Sequence, residues 1–375
     1  MSEVIINTDI LSWSITRAGL NLNDLEEQFP KVREWISGDK RPTIKQLEAF
    51  SKKVHLAFGF FFLNERPNEA IQFPFFRRSQ RTFTGFSLNL YDTIQIIQRR
   101  QAWLSEYLTD IGRGQLDFVG KFDLKTDFEA IANDIRTILN LEKIWAARFT
   151  KIEETINHLV NKIEEAGITT TFNGVVENSN RRSLSVDECR GFVIVDRSAP
   201  FMFINNADFK SAQLFTIVHE LAHIWLGISA GFENDKLLPA NDPVEILCDK
   251  VAAEFLVPSD AFLRAWSNDP RIESLTRFFK VSRVVIARRA LDLGKIKKSE
   301  FLRLYQIYAA SQFNRKDDSE GGDFFATQKK RIGLRFATYV NRAVQENKLL
   351  YRDAYRLTGI KGDTYQKFMN KYLRT

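Results

Sequence analysis

The sequence predicts a mostly helical α+β protein in which a small sheet lies beside a buried helix, with further helical regions on both sides. Over long parts of the chain, apolar residues recur with the 3.6-residue period of an amphipathic helix. Short runs rich in β-branched and aromatic residues indicate strands. The helices predicted in this way are 88–111, 126–140 and 143–166, and the strands are 168–172, 192–195 and 201–204.

The N-terminal region, residues 1–72, has a helical period that Pro30 interrupts. Its segment 35–47 resembles the C-terminal half of XRE-type helix-turn-helix domains. Between Leu25 and Trp35, however, there is little room for a turn and a full recognition helix. The region has 9 basic and 10 acidic side chains, a poor balance for binding phosphates. We therefore interpret it as a degenerate XRE-like helix-turn-helix domain used for protein contact, with DNA binding as the alternative.

Residues 73–120 are predicted to form a linker and a long helix. The stretch 64–87 is rich in Pro, Arg and Phe, and its apolar content indicates an ordered linker rather than a flexible tether. The amphipathic segment 88–111 then supplies the long helix.

A histidine and glutamate motif lies in the apolar stretch 215–227. His219, Glu220 and His223 form the pattern H-E-x-x-H. Because positions i and i+4 of a helix share one face, both imidazoles can point at a single ion. Glu220 is then placed to reach a water on that ion. This pattern is typical of zinc peptidases, in which the two histidines are metal ligands and the glutamate is the general base.

The motif is specific in this composition, because the chain has four histidines and two of them fall in it. A chance occurrence is expected in roughly a few chains per thousand of this length. The alternative is a buried helix with two incidental histidines. It would require two imidazoles and a carboxylate to be buried without partners, which is costly. His158, in the helix predicted at 143–166, is interpreted as an ordinary surface or half-buried residue rather than a ligand.

The segment after the motif offers a third ligand, Glu245, which follows His223 by 22 residues. Asp242 suits a helix N-cap and Pro243 a first helical position. Glu245 and Asp249 are spaced i, i+4 and share a helix face. Glu245 can therefore complete the metal site while Asp249 accepts an N–H from a liganding histidine. The alternative is that Glu245 only closes a capping box with Asp242.

Together these segments resemble the ImmA/IrrE family of metallopeptidases. The family has an apolar strand that ends in Ile-Asn, here Ile204 and Asn205, followed by the H-E-x-x-H helix. A segment of the form E-x-x-A-N-x-F-A-A-x-L-L-M-P comes next, here residues 245–258. In this chain Cys248 and Asp249 replace the Ala and Asn of that pattern. Asp249 keeps an acceptor at its position, so the change is not interpreted as a loss of activity.

The resemblance implies a gluzincin-like zinc endopeptidase, often one that cuts a helix-turn-helix repressor. A strand beside the zinc helix often binds the substrate backbone by strand addition. By resemblance and by position, Phe203, Ile204 and Asn205 are the expected substrate-binding residues. The polar segment 177–187 is predicted to be a loop near the cleft. The implied cofactor is Zn²⁺, with Mn²⁺ as the alternative.

Length and composition limit the remaining choices. A chain of 375 residues has room for two or three domains. No apolar run reaches membrane-spanning length, and the N-terminus lacks the features of a signal peptide. Cys189 and Cys248 are too few for a disulfide framework. These features indicate a cytoplasmic protein with no membrane partner.

Charge is distributed unevenly along the chain, whose net charge is +7. Residues 271–375 contain 24 basic and 10 acidic side chains, whereas residues 1–270 contain 30 basic and 37 acidic ones. The basic C-terminal region could contact DNA or an acidic protein partner. A solvated basic helical surface is the alternative.

The C-terminal region is predicted to be helical. Residues 275–293 have a helix–turn–helix pattern in which Arg283, Arg288 and Arg289 are expected to be exposed. The other segments predicted here are a polar loop at 314–323, a helix at 327–346 and a helical region at 350–373. Within 350–373 the segments 351–357 and 364–373, on either side of Gly359, again have a helix-turn-helix-like pattern.

The predicted organisation has four parts. They are an XRE-like helix-turn-helix domain at 1–72, a linker and long helix at 73–120, an ImmA/IrrE-like metallopeptidase domain at 121–265, and a basic helical region at 266–375.

The sequence favours a zinc-dependent endopeptidase that regulates by cleaving a protein partner, such as a repressor, encoded nearby. One alternative is an antitoxin or regulatory partner in a two-gene toxin–antitoxin or phage-defence module, which binds a toxin or DNA. Another is a DNA-binding regulator that uses the basic C-terminal region. Glu220→Gln separates these functions, because it should abolish hydrolysis and spare the other two.

Overall fold

The structure is a computed structural model that describes residues 2–67, 87–232, 242–313 and 323–373. Most of the predicted linker and nearly all of the polar loop predicted at 314–323 lie outside these residues. Within them, no helix combines the length and the apolar character needed to cross a membrane.

The chain divides into two compact units, Met1–Asp92 and Thr93–Thr375. The division falls inside a long helix, α5 (Leu88–Asp110), at the place where the sequence predicts one over 88–111.

The N-terminal unit is a small helical domain with an aromatic core. Trp35 and Phe50 pack edge to face, and Phe50 makes a similar contact with Phe61. Pro30 separates the second and third helices. The third helix has only 6 residues, which is too short for a full recognition helix. The helices are α1 (Thr8–Arg17), α2 (Leu22–Gln28), α3 (Val32–Ser37) and α4 (Ile44–Lys53), followed by a 3₁₀ turn at Phe58–Phe62.

The second unit contains two sheets and many helices. The helices before and around the main sheet are α6 (Phe128–Ile138), α7 (Ile152–Glu165), α8 (Lys210–Leu226), α9 (Pro243–Leu256) and α10 (Ser259–Asn268). The later helices are α11 (Ile272–Phe279), α12 (Arg283–Asp292), α13 (Lys298–Phe313), α14 (Phe324–Ile332), α15 (Leu334–Gln345), α16 (Tyr351–Thr358) and α17 (Gly362–Tyr372). The strands are β1 (Thr169–Asn173), β2 (Val175–Val176), β3 (Ser179–Ser183), β4 (Gly191–Ile194), β5 (Phe201–Asn205) and β6 (Ala230–Phe232).

The main sheet has the strand order β1-β5-β4-β6. β5 pairs with β1 in parallel and with β4 antiparallel, and β6 pairs antiparallel with β4. Side chains of β5 alternate between the two faces, as the period of a strand requires. Met202 and Ile204 join the core cluster that includes α8, whereas Phe201 packs edge to face on Phe336 of α15. The sheet is therefore covered on both faces.

Three sequence predictions need correction. The helix predicted over 143–166 is a 3₁₀ turn at Trp145–Arg148 followed by α7, because the backbone is extended at Phe149 and Lys151 between them. The segment 177–187, predicted to be a loop, contains β3, which pairs with β2. The helix predicted over 327–346 is divided into α14 and α15 at Gly333.

Gly333 divides these helices because the chain there lies close to the sheet. Its φ is +81°, a conformation that residues with a side chain rarely adopt. A Cβ at this position would lie 2.5 Å from the carbonyl oxygen of Thr170 in β1. α14 and α15 both pack against β1, so the C-terminal helices cover this strand of the sheet.

Gly333→Ala is expected to lower the free energy of unfolding by roughly 2–5 kcal/mol, because it adds backbone strain and a clash with β1. Gly294→Ala is the matched control, since Gly294 has φ +66° and nothing within 4 Å of an added Cβ. Gly294→Ala should lower the free energy of unfolding by only about 1–2 kcal/mol, the cost of a side chain in this backbone conformation. Chemical unfolding of both variants beside the wild type measures the difference. Equal losses would contradict the close approach.

Candidate metal and catalytic site

The helix α8 presents polar side chains from an otherwise apolar, buried surface. Every side chain from Gln213 to Leu226 is buried, and the exposed fractions of His219, Glu220 and His223 are all 0%. A helix that is apolar all round belongs in a protein core, where it can be covered on every side. The three polar side chains are therefore held in the protein interior, where unpaired polar groups are costly.

The next helix brings two carboxylates to the same place. Asp242 is the N-cap of α9, and its side chain accepts a hydrogen bond of 2.8 Å from the backbone N–H of Val244. Pro243 occupies the first turn, where the lack of an N–H has no cost. α9 packs along α8, and Glu245 and Asp249 on its first turns both reach His219. The alternative that Glu245 serves only in a capping box does not account for these contacts.

The donor atoms converge with separations that suit a divalent cation. Nε2 of His219 lies 3.1 Å from Oε2 of Glu245 and 3.2 Å from Nε2 of His223. Nε2 of His223 lies 3.7 Å from Oε1 of Glu245. Ligands at tetrahedral zinc, with bonds of about 2.0–2.1 Å, are about 3.3 Å apart. The two imidazoles and Glu245 therefore fit a zinc ion between them.

Asp249 orients the first histidine from its other side. Oδ1 of Asp249 lies 3.0 Å from Nδ1 of His219, the position in which a carboxylate fixes the tautomer of a liganding imidazole. Burial lowers the pKa of His219, but hydrogen bonds and negative charge from Asp249 and Glu245 outweigh it and raise this pKa to about 10. A cation and a proton therefore compete for Nε2 of His219.

The other two donors have pKa values shifted downward. Burial raises the pKa of Glu245, but hydrogen bonds and charge from the two histidines outweigh it and hold this pKa well below its usual range. Burial lowers the pKa of His223, which favours the neutral imidazole that binds metals. Glu245 is thus an anion and His223 a neutral donor at neutral pH.

Glu220 is a buried carboxyl group without a partner. Neither of its carboxylate oxygens has a hydrogen bond among the residues that the structure describes, and the same is true of Nδ1 of His223. Burial raises the pKa of Glu220 well above its ordinary value, against a smaller opposite effect of His219. A raised pKa makes this carboxyl group a better proton acceptor than an ordinary glutamate, which is the property a general base needs.

The prediction that Phe203, Ile204 and Asn205 of β5 bind the substrate backbone by strand addition is wrong. β5 is paired on both sides and its five residues are buried, so a peptide cannot add to it. Phe203 stacks on Phe192 inside the sheet. The side chain of Asn205 donates to the carbonyl of Cys189 at 2.9 Å and accepts from the N–H of Ala207 at 3.0 Å, so it shapes two turns. Ile204 belongs to the core cluster with α8.

The sequence analysis assigned no role to Cys248, which lies close to His219 and His223. The Sγ atom of Cys248 and a ring nitrogen of both His219 and His223 lie within 4.8 Å of one another. Cys248 is fully buried and forms no disulfide bond. Burial, together with the charges of Glu245 and other carboxylates, raises the pKa of its thiol well above the usual value. Its spacing of i+3 from Glu245 was the signal that could have identified it.

A buried ion pair anchors the far end of α9. The guanidinium of Arg289 in α12 donates to Glu254 and, at 2.8 Å, to the hydroxyl of Ser259. Nε of Arg289 donates to the carbonyl of Val257 at 2.9 Å. The prediction that Arg289 is exposed was therefore wrong, because its exposed fraction is 4%. The sequence pattern could not reveal that Glu254 faces it.

A pocket of about 420 Å³ opens beside this part of the molecule. It is lined by residues of α9 and α12, and Asp249 is among them. The side chains of Glu245 and Asp249 are exposed by 20% and 28%, whereas the histidines are fully buried. Solvent therefore reaches the cluster on the side of α9.

Comparison with known families supports a metallopeptidase-like domain. Residues 163–291 match the IrrE N-terminal-like domain, a peptidase family, and this match supports the ImmA/IrrE resemblance for that segment. A metal ion is suggested by the same match. Residues 332–371 match a domain of unknown function, DUF8813. No curated protein matches the chain.

Arg289→Ala is expected to destabilise the protein by about 3–5 kcal/mol, because it leaves Glu254 as a buried charge without its cation. Arg288→Ala is the control on the same helix, since Arg288 forms an exposed i, i+4 pair with Asp292 at 2.9 Å. Arg288→Ala should lower the free energy of unfolding by no more than about 0.5 kcal/mol. Thermal and urea unfolding provide the comparison, and a similar cost for both variants would refute the anchoring role.

Proposed function

We propose that this protein is a metal-dependent endopeptidase that acts on a protein partner. The proposal rests on one observation: two buried imidazoles and Glu245 converge on a space of cation size. The carboxyl group of Glu220, which has no hydrogen bond to any described residue, lies on the same helix as the imidazoles. The match of residues 163–291 to a peptidase family agrees with it. His219, His223 and Glu245 are the proposed metal ligands, and Asp249 orients His219.

Zn²⁺, the metal we favour over Mn²⁺, supplies Lewis-acid polarisation of the scissile carbonyl and makes a nearby water more acidic. Glu220 removes a proton from the attacking water onto a carboxylate oxygen, and later delivers that proton to the nitrogen of the leaving amine. Burial raises the pKa of this carboxyl group well above its ordinary value, which favours its taking up the proton that it later delivers.

The substrate backbone would bind at an edge of the main sheet. β1 and β6 are the outer strands among those described. α14 and α15 pack against β1, and Gly333 lies against the carbonyl of Thr170. We therefore place strand addition at β6, which also packs on α8. A peptide held there by main-chain hydrogen bonds needs no particular sequence at every position.

A protein partner is favoured over DNA because several arginines of the basic C-terminal region bond to groups within the protein. Arg289 is paired inside the protein, and Arg335 donates to the carbonyl of Glu164. Nη1 of Arg331 donates to Asn178 at 3.0 Å. These arginines are partly committed to internal contacts, which reduces the charge left for phosphates. We propose that the partner is encoded nearby and is either a repressor or a toxin.

Glu220→Gln is expected to abolish cleavage of the partner, at a cost of at least about 10²-fold in rate, because it removes the proton acceptor. The protein is purified, loaded with zinc or manganese, and incubated with the products of neighbouring genes, and cleavage is followed by mass spectrometry. Chelation of the metal should also stop cleavage by the wild type.

The same experiment separates hydrolysis from binding. Glu220→Gln should still bind both the metal and the partner, because neither the imidazoles nor the surface is altered. Cleavage that persists in Glu220→Gln would refute the catalytic assignment. Partner binding without cleavage by the wild type would favour the antitoxin function instead. Binding of DNA with a steep salt dependence would favour a nucleic-acid regulator.

Asp249→Ala is expected to weaken zinc binding by about 10- to 100-fold, because it removes the carboxylate that orients His219. Asp260→Ala serves as a control, since Asp260 forms an exposed ion pair with Lys143 at 2.8 Å. Competition with a chromophoric chelator measures both affinities. An unchanged zinc affinity in Asp249→Ala would contradict the orienting role of this carboxylate.

A further inference from the structure

Cys248 lies where a side chain of α9 can reach the candidate metal site. It follows Glu245 by three positions and precedes Asp249 directly, so all three occupy neighbouring positions on one face of the helix. Both of these neighbours contact His219. The Sγ atom of Cys248 itself lies within 4.8 Å of a ring nitrogen of each histidine.

A buried free cysteine is often only a small apolar side chain. Two further observations distinguish Cys248 from that ordinary case. The two imidazoles turn their Nε2 atoms toward each other at 3.2 Å, an arrangement that calls for a shared cation or proton. Glu220, which is fully buried and has no partner among the described residues, lies on the same helix as the two imidazoles that Cys248 approaches.

We propose that Cys248 is a fourth protein ligand of the metal ion in the resting protein. The ligands are then the imidazoles of His219 and His223, the carboxylate of Glu245 and the thiolate of Cys248. When the metal binds, the S–H bond breaks, its proton passes to solvent and a metal–sulfur bond forms, so no oxidant is needed. This inference rests on the metal site of the proposed function.

The sulfur ligand determines which metal the protein selects. Thiolates are soft ligands that favour zinc, whereas manganese prefers carboxylate and water oxygens. A site with Cys248 among its ligands should therefore bind zinc far more tightly than manganese.

The sulfur ligand also closes the site. Catalytic zinc sites keep three protein ligands and an open position for water, whereas four protein ligands are typical of closed structural sites. Cys248 would have to leave the metal before water could enter, and this exchange would control the peptidase. Removal of the sulfur should then raise the rate at which the partner is cleaved.

The test uses the full-length protein, freed of metal and titrated with Co²⁺ under anaerobic conditions. The wild type is expected to show visible d–d bands and a near-ultraviolet thiolate-to-cobalt charge-transfer band. Cys248→Ser should keep the d–d bands and lose the charge-transfer band. The matched control is Cys189→Ser, which alters the other buried cysteine and should retain both features.

Metal affinity gives a second measurement. Cys248→Ser should bind zinc at least about 10-fold more weakly than the wild type, a loss of the size that mutations around metal ligands typically cause. Its affinity for manganese should stay nearly unchanged. Cys248→Ala is a second variant, used if circular dichroism shows that the serine variant does not fold. In the cleavage assay, both variants should act faster than the wild type.

The outcomes separate this inference from the proposed function. A wild type that binds cobalt without a charge-transfer band, or a band that persists in Cys248→Ser, overturns the role of Cys248 and leaves the metal site standing. A wild type that binds neither cobalt nor zinc overturns both. Loss of the band in Cys189→Ser but not in Cys248→Ser would assign the sulfur ligand to Cys189, which lies in the loop before β4, and would also overturn the inference.

Discussion

The burial of three titratable side chains on one largely apolar helix is the constraint on which the rest of the second unit depends. α8 places two imidazoles and a carboxyl group at 0% exposure, where each would be costly without compensation. Compensation comes from α9, whose Glu245 and Asp249 approach the histidines from the side open to solvent. Within the part of the chain that the structure describes, no side chain compensates Glu220 by a hydrogen bond. The free-energy cost of burying this carboxyl group without a hydrogen bond agrees with a catalytic role, because functional sites retain strained or unsatisfied groups.

The position of α9 is therefore as important as its sequence, and two separate contacts fix it. At its start, Asp242 caps the first turn, so that Glu245 and Asp249 lie beside α8. At its end, Glu254 forms a buried pair with Arg289 of α12, which also binds the carbonyl that follows the helix. Rotation of α9 would move both carboxylates away from the histidines. Residues well beyond the H-E-x-x-H motif thus hold its geometry.

The C-terminal helices have a comparable supporting role at the sheet. α14 and α15 meet at Gly333 against β1, and Phe336 of α15 covers the face of β5 opposite to α8. Asn178 in the β2–β3 turn binds Gly359, Gln328 and Arg331 through its side-chain amide. These contacts explain why a region with a large excess of basic residues is also rich in buried apolar ones. Its helices α14 and α15 pack against β1 and thereby cover one face of the main sheet.

Local patterns in the sequence determined most elements and brought attention to the residues of the candidate site. Helical and strand periods located α5, α6, β4 and β5, and the i, i+4 spacing of His219 and His223 put both rings on one face. These features depend on neighbours along the chain. The partners of Arg289, the pairing of β5 on both sides and the approach of Cys248 to the histidines depend on residues distant in sequence. Only tertiary packing decided them, because a side-chain period shows which face is buried but not what lies against it.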